Sequence, residues 1–532
     1  MLKVKSFFMK MTRLACLAIA AMASMTAAHA GGLLTNTNQS ASYVRNLSQN
    51  ANIDITSLYP NPAGTAFLSD GWHMSFNIQS AYQTREIDTT FPLFQLNKND
   101  RSATHNFKGE ASAPVIPSFQ VSYNKGKWSF NAAFAITGGG GKCELDKGLG
   151  TFEALYSGQL YQQVPLAVNA LVNQQVGAIL PGMVQGTVAQ KLAGMGLGQQ
   201  YAEIIASTTQ TTYDVNSQMT GYSLDAYMKG RQYYFGLTLG ATYKFRENLA
   251  GFFGIRGVYA NCNYNGFVQD VKADYAYAVD YKYNVPANAT FGFPGTQGEG
   301  QLADQGTQDL SSNSLALNAD QTGFGITPII GIDWKINNHW NVAAKYEFKT
   351  RIRLENSSEM NDFAKAQAAS NETLGQFADG KSVAEDIPAV LSYGVQYSPV
   401  ECVRLNAGMN VYFDKDATKY GNKHELIDDN ATEILAGAEW DITKWLTISA
   451  SYQKTTYGLS DAYMNDLSFN LSSNSIGAGV RVKATKRCSI DAGYMQTFYG
   501  DRTVTTKTAA GDKTDVYNRT NKVFAVGVNL AI

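Results

Sequence analysis

The chain is poor in the features that mark helical membrane proteins, metalloproteins and nucleic-acid binders. Beyond residue 30 no stretch approaches the roughly 18 consecutive apolar residues of a spanning helix. Mean hydropathy is only −0.22, although 44% of residues are hydrophobic. A membrane could therefore be crossed only by alternating strands. Lys and Arg number 43 against 44 Asp and Glu, so no basic surplus speaks for nucleic acid. Cysteines and histidines number five each, with no CxxC and no Cys/His spacing; no metal or other cofactor is expected. Past residue 30 the cysteines are Cys143, Cys262, Cys402 and Cys488. The last two fall in turns four strands apart and are not expected to pair, whereas Cys143 and Cys262 share one end and could. His73, His105, His339 and His424 lack a local Ser and acidic orienter, so no catalytic residue and no enzyme is expected.

What is present points to strands. Aromatic residues make up 12%, including 30 Tyr and 26 Phe, and there are 48 Gly, which suits interfacial girdles and tight turns. Residues 1–30 read as a secretory signal: Lys3, Lys5, Lys10 and Arg13, an apolar stretch from Leu14 to Ala23, and Ala28-His29-Ala30 before Gly31. Short polar turns recur at Asn124–Lys127, Arg246–Asn248, Asn337–His339, Pro399–Cys402, Thr443–Lys444 and Thr485–Cys488, the first five opening onto an aromatic or aliphatic residue. They alternate with long polar loops. A soluble sandwich has no need of that rhythm, whereas a transmembrane barrel keeps short turns on the periplasmic side and long loops outside.

Reading outward from the turns gives fourteen strands, near 72–83, 116–124, 128–137, 232–245, 249–263, 322–335, 340–353, 387–398, 403–414, 431–442, 445–456, 472–484, 488–499 and 519–532. The expected fold is all-β: a 14-stranded antiparallel transmembrane β-barrel over 71–532, with both termini periplasmic. Alternation assigns the faces. Trp340, Val342, Ala344, Tyr346 and Phe348 oppose Asn341, Lys345, Glu347 and Lys349. Charge on the lipid face costs roughly 2–4 kcal/mol at mid-depth for Arg or Lys, so Arg256, Lys345, Lys349, Arg404 and Arg481 should face the lumen as candidate partners for a ligand carboxylate. Lys345 and Glu347 are lumenal neighbours that could satisfy each other.

Residues 31–70 do not alternate. They are small and polar and end in Asn61-Pro62-Ala63-Gly64, a turn signal set just before the first strand. With the signal, the small-residue segment and the fourteen strands, this resembles the FadL-like family of outer-membrane transporters for long-chain fatty acids and aromatic hydrocarbons. Asn61, Pro62 and Ala63 match the family's Asn-Pro-Ala segment. Asp386-Ile387-Pro388-Ala389 with Tyr393-Gly394-Val395, and Pro117-Ser118-Phe119, resemble further family patterns. The stretch Tyr43-Val44-Arg45-Asn46 departs from the family's Gly- and Asp-rich hatch, and Ile532 stands where the family often ends in Phe. The resemblance implies that 31–70 forms a hatch plugging the barrel, that the protein is a monomer, and that an apolar molecule enters from an outer groove. It also implies sideways release into the membrane near a kinked third strand.

Two features bear on this independently. Between Gln159 and Ser207 only Lys191 and Glu203 are charged, and an apolar outer loop usually marks a binding site. The outer loop, about 142–230, reads as helical: one piece through Pro165–Met183 and another from Val188 to Ile205, broken at Pro181-Gly182. Leu166, Leu171, Ile179, Leu180, Met183, Leu192, Leu197 and Ile204 are the candidate groove residues. Gly138, Gly139, Gly140 and Gly141 follow the third strand without the Lys-Ser or Lys-Thr of a phosphate loop and are expected to break its ladder. The expected function is uptake of a hydrophobic small molecule, most simply a long-chain fatty acid, across the outer membrane. A diffusion porin for polar solutes, or an adhesin displaying its loops, is the alternative.

Overall fold

The structure, a computed structural model, describes residues 33–369, 372–466 and 469–532; the signal segment 1–30 lies outside them. The strands are β1 Gly71–Thr90, β2 Thr104–Lys125, β3 Trp128–Leu145, β4 Gln210–Arg246, β5 Leu249–Val285, β6 Thr296–Asp309, β7 Leu315–Lys335, β8 Trp340–Glu347 and β9 Arg353–Met360. They continue as β10 Ser382–Ala384, β11 Val390–Val400, β12 Val403–Tyr412, β13 Ile427–Asp441, β14 Leu446–Leu459, β15 Ser473–Lys483, β16 Cys488–Tyr499, β17 Arg502–Thr508 and β18 Gly511–Ala531. All pair antiparallel, and β18 closes on β1 from His73↔Ala531 to Thr90↔Thr514.

The wall has fourteen spans: β1 to β5, β7, the broken span β8–β9, the broken span β10–β11, β12 to β16, and β18. β6 and β17 are hairpin additions beyond the wall, at the end that carries the long loops. Alternation sets the faces as the pleat requires. On β1, Phe76, Ile78 and Tyr82 point outward, while His73, Ser75, Asn77 and Gln79 are buried inside. Trp72, Trp128, Trp334, Trp340, Trp440 and Trp445, the full complement of six, stand exposed at the short-turn end. Such a ring is the interfacial girdle of a transmembrane barrel.

The structure differs from expectation chiefly at the long-loop end. β4 and β5 run for 37 residues each, far beyond the roughly 9–11 that cross a bilayer. Residues 210–230, expected within a helical loop, are therefore strand, and so is the stretch to Val285. Tyr275, Tyr281 and Tyr283 of β5 lie over Gly306, Gly300 and Gly298 of β6, so the rings cover backbone that carries no side chain. The span expected at 340–353 breaks after Glu347 and resumes at Arg353. Cys143 and Cys262 do not pair: both are buried free thiols, on β3 and β5 with β4 between them, two strand spacings apart. Cys402 and Cys488 are also free.

The outer helix is also organised differently. α2, Gly150–Gly194, is continuous through Pro165 and Pro181, and the break falls at Met195–Gly198 before α3, Gln199–Ala206. (α1 is the short helix Ala41–Arg45 inside the barrel.) One interior proline costs about 3 kcal/mol. Beyond Pro181, however, Leu180, Val184, Val188 and Leu192 continue a stripe at helical spacing that is buried against Val285, Phe293 and α3. Each such side chain contributes roughly 1.5–3 kcal/mol, so the stripe outweighs the proline.

Candidate functional site

Residues 33–68 fill the bore. Almost all are buried, although half are polar or charged, because inward-facing strand residues supply their partners. Ser40 caps α1 by accepting from the Tyr43 amide, and α1 seats on Gly479 and Gly493, where a Cβ would meet Arg45 at 2.6 and 2.7 Å. Arg45, which the sequence presented as an interruption, is the most heavily engaged residue of the plug. Its guanidinium meets Asp491 at 2.8 Å and Glu439 at 2.7 Å and donates to Ser449. At the end of the plug, Asn61 donates to Asp333 and to the Asn52 carbonyl, Pro62 O accepts from Thr65 and Thr242, and Ala63 packs on Phe252 and Ile329. A Cβ on Gly64 would meet Asn61 Nδ2 at 2.7 Å.

The five lumen cations are all engaged by carboxylates of the protein itself. Arg256 and Lys345 share Glu347, and Lys345 also donates to Tyr59 O at 2.9 Å. Lys349 donates to Asp416 O at 2.8 Å and lies 3.8 Å from Asp386. Arg404 bridges Glu439 and Asp441. Arg481 bridges Asp491 and Asp54 of the plug. They hold the wall together and pin the plug, an arrangement that leaves a ligand carboxylate to other residues.

At β3 the wall is irregular. The β2–β3 ladder is interrupted between Ser112 and Phe119, and β3 bulges against β4 at Gly138 and between Gly139 and Gly141. Gly139 and Gly141 have φ of 75° and 78°, a conformation that favours glycine. A Cβ on Gly138 would lie 2.2 Å from Leu34 O. The leading residues of the plug take up the carbonyls that the broken ladder leaves. Asn36 N donates to Thr137 O at 2.9 Å, its side chain to Gly139 O at 3.1 Å, and Gln39 Nε2 to Ile136 O at 3.0 Å.

At the long-loop mouth lies an apolar cavity of about 550 Å³ between the first turns of α2 and the β17–β18 hairpin. Ala154, Leu155 and Leu166 face Phe91, Met464 and Val504 across it. Lys513 lies at its wall, paired with Asp515 and donating to Thr151 Oγ1 at 3.3 Å. Of the eight groove residues expected from sequence, Leu166 alone lines this cavity. Leu180 and Leu192 are buried in the stripe against β5; Ile179, Met183 and Ile204 are exposed; Leu171 and Leu197 are half-buried. Inward of the cavity, beyond Tyr517, Arg85 and Arg519 stand directly opposite each other on β1 and β18, over Phe469 and Tyr499 respectively. Both donate to Phe469 O.

The mouth is stapled by a buried cluster that sequence did not single out. Glu153, in the first turn of α2, accepts from Asn97, Tyr222 and His105 at 2.7, 2.8 and 2.9 Å. Burial of the His105 ring opposes its charge, but the hydrogen bond and charge of Glu153, aided by Asp100, outweigh this and raise its pKa. Phe94 stacks on the ring at 4.5 Å. The relevant signal, an acid in the first turn of a helix with a histidine in the preceding loop region, is too common to read alone.

This plugged fourteen-stranded barrel is similar in fold to a solved FadL homologue. A FadL homologue of Pseudomonas aeruginosa superposes with a TM-score of 0.55 at 13% identity, covering 94% of this chain and all of that one. The P. putida toluene transporter TodX matches at TM-score 0.45 and 12% identity over 90% of this chain and 94% of its own. The Ralstonia pickettii toluene transporter TbuX matches at 0.45 and 12%, over 93% and 96%. No family model and no curated protein matches the sequence.

Proposed function

We propose that the protein takes up hydrophobic small molecules across the outer membrane, with the short turns facing the periplasm and the long loops outside. The observation that carries this is an apolar cavity at the mouth of a bore filled by the chain's own leading residues. A porin for polar solutes gains nothing from either feature. A closed wall without a free edge between β1 and β18 suits a monomer surrounded by lipid. Within the reading, a long-chain fatty acid is favoured over a neutral hydrocarbon, because a carboxylate passing inward would meet Arg85 and Arg519 and offset their mutual repulsion. The route onward is sideways, where Asn36 and Gln39 cover the interrupted β2–β3 ladder.

The test is binding of labelled oleate to the purified protein. Leu155→Gln with Leu166→Gln should weaken it by on the order of tenfold, since losing about two CH₂ groups' worth of burial is roughly 1.6 kcal/mol. Exposed Ile179→Gln should leave it unchanged. Equal affinity in all three proteins would rule the cavity out as the entry site.

A further inference from the structure

A second cavity, of about 530 Å³, opens at the short-turn end between the plug and the feet of β15, β16 and β18. Five cations line it, Lys444, Arg481, Lys483, Lys486 and Arg487, against a single carboxylate, Asp54 of the plug. Arg481 already shares itself between Asp54 and Asp491, and Lys483 reaches Asp441 only at 3.8 Å. Lys444, Lys486 and Arg487 are exposed in the turns. Opposite them the cleft is apolar: Ile53 and Leu68 come from the plug, and Leu530 from the lipid-facing side of β18. The cleft thus brings a cationic cluster and apolar side chains together at the level of the tryptophan girdle. That is the shape of an amphiphile with one anionic head.

We propose that this cleft binds the anionic head group of an acyl amphiphile, and that the head group competes with Asp54 for Arg481, loosening the plug at that contact. Two sources share the chemistry: the carboxylate of a fatty acid and the phosphate of a membrane phospholipid. Like-charged side chains crowded in one cleft repel one another, and an anion among them relieves that repulsion. The site lies at the opposite end of the bore from the outer cavity and does not depend on it.

Cys488 lines the cleft and supplies the readout. In the full chain carrying Cys16→Ser and Cys402→Ser, Cys143 and Cys262 remain buried, so maleimide alkylation follows Cys488. In phosphatidylcholine nanodiscs, oleate should slow alkylation several-fold and oleyl alcohol should not. Replacing a fraction of the lipid by phosphatidylglycerol assigns the source: protection without oleate indicates the phospholipid, and protection with oleate alone the fatty acid. Lys486→Gln with Arg487→Gln should weaken protection, and adding Lys444→Gln and Lys483→Gln should abolish it. Asp54→Asn should lower the oleate concentration that gives half protection. Equal protection by oleyl alcohol, or full protection in the four-site variant, overturns the site. An unchanged half-protection concentration in Asp54→Asn overturns the competition.

Discussion

His105 and Glu153 are 48 residues apart in sequence yet form the hydrogen bond that fixes the start of α2 to the mouth. Sequence put His105 in an outer loop and found no partner for it, because a pair that spans two elements leaves no local pattern. Its folded-state pKa is raised above the ordinary 6.5. The charged pair therefore contributes its full stability below about pH 6.5, and that contribution is lost as pH rises through the folded value. Hydrogen exchange at the amides of Asn97–Asn99 should accordingly quicken, beyond its intrinsic base-catalysed rise, as pH climbs through that folded value. In Glu153→Gln the His105 titration followed by NMR should move to lower pH, and the pH-linked step in exchange should vanish with it. A titration midpoint that stays in place would exclude Glu153 as the cause. By contrast, the inward or outward position of Lys345, Glu347, Arg404 and Arg481 was legible, since strand alternation and the cost of charge in lipid both act within a few residues. Arg45 was not: its meaning lies in Asp491 and Glu439, more than 390 residues away.

At the scale of elements, the spacing of short turns is local chemistry, and it located all fourteen spans. The protruding part of β4, β5 and β6 escaped because its faces do not alternate between lipid and lumen; Tyr over Gly replaces the usual apolar pattern. The Pro181-Gly182 break is a local rule overridden by tertiary packing. Leu180 and Met183, alike in a sequence-based groove, are separated by this: Leu180 is 1% exposed and Met183 39%. Leu180→Ala should cost roughly 2–5 kcal/mol of local stability and hasten proteolysis at the exposed Met195–Gly198 linker, whereas Met183→Ala should alter neither. Similar cleavage rates for the two variants would mean that α2 is not held by this stripe.

For the molecule as a whole, the question is what keeps the bore shut. Besides its hydrogen bonds and the apolar contacts of Tyr43, Val44 and Leu47 with the wall, the plug is secured by ion pairs: Arg45 with Asp491 and Glu439, and Asp54 with Arg481. Removing one partner of a buried pair typically costs about 3–5 kcal/mol, because a charge is left uncompensated. Here Arg481 and Arg404 still hold Asp491 and Glu439, so Arg45→Ala should fall toward the lower end of that range and loosen the plug without expelling it. In planar bilayers the intact protein should conduct little, Arg45→Ala should add brief openings, and deletion of residues 33–68 should give a steady, larger conductance. The ordering follows from the amount of bore each change exposes. A parent protein that already conducts as well as the deletion would mean that water and ions bypass the plug, and the porin reading would then be preferred.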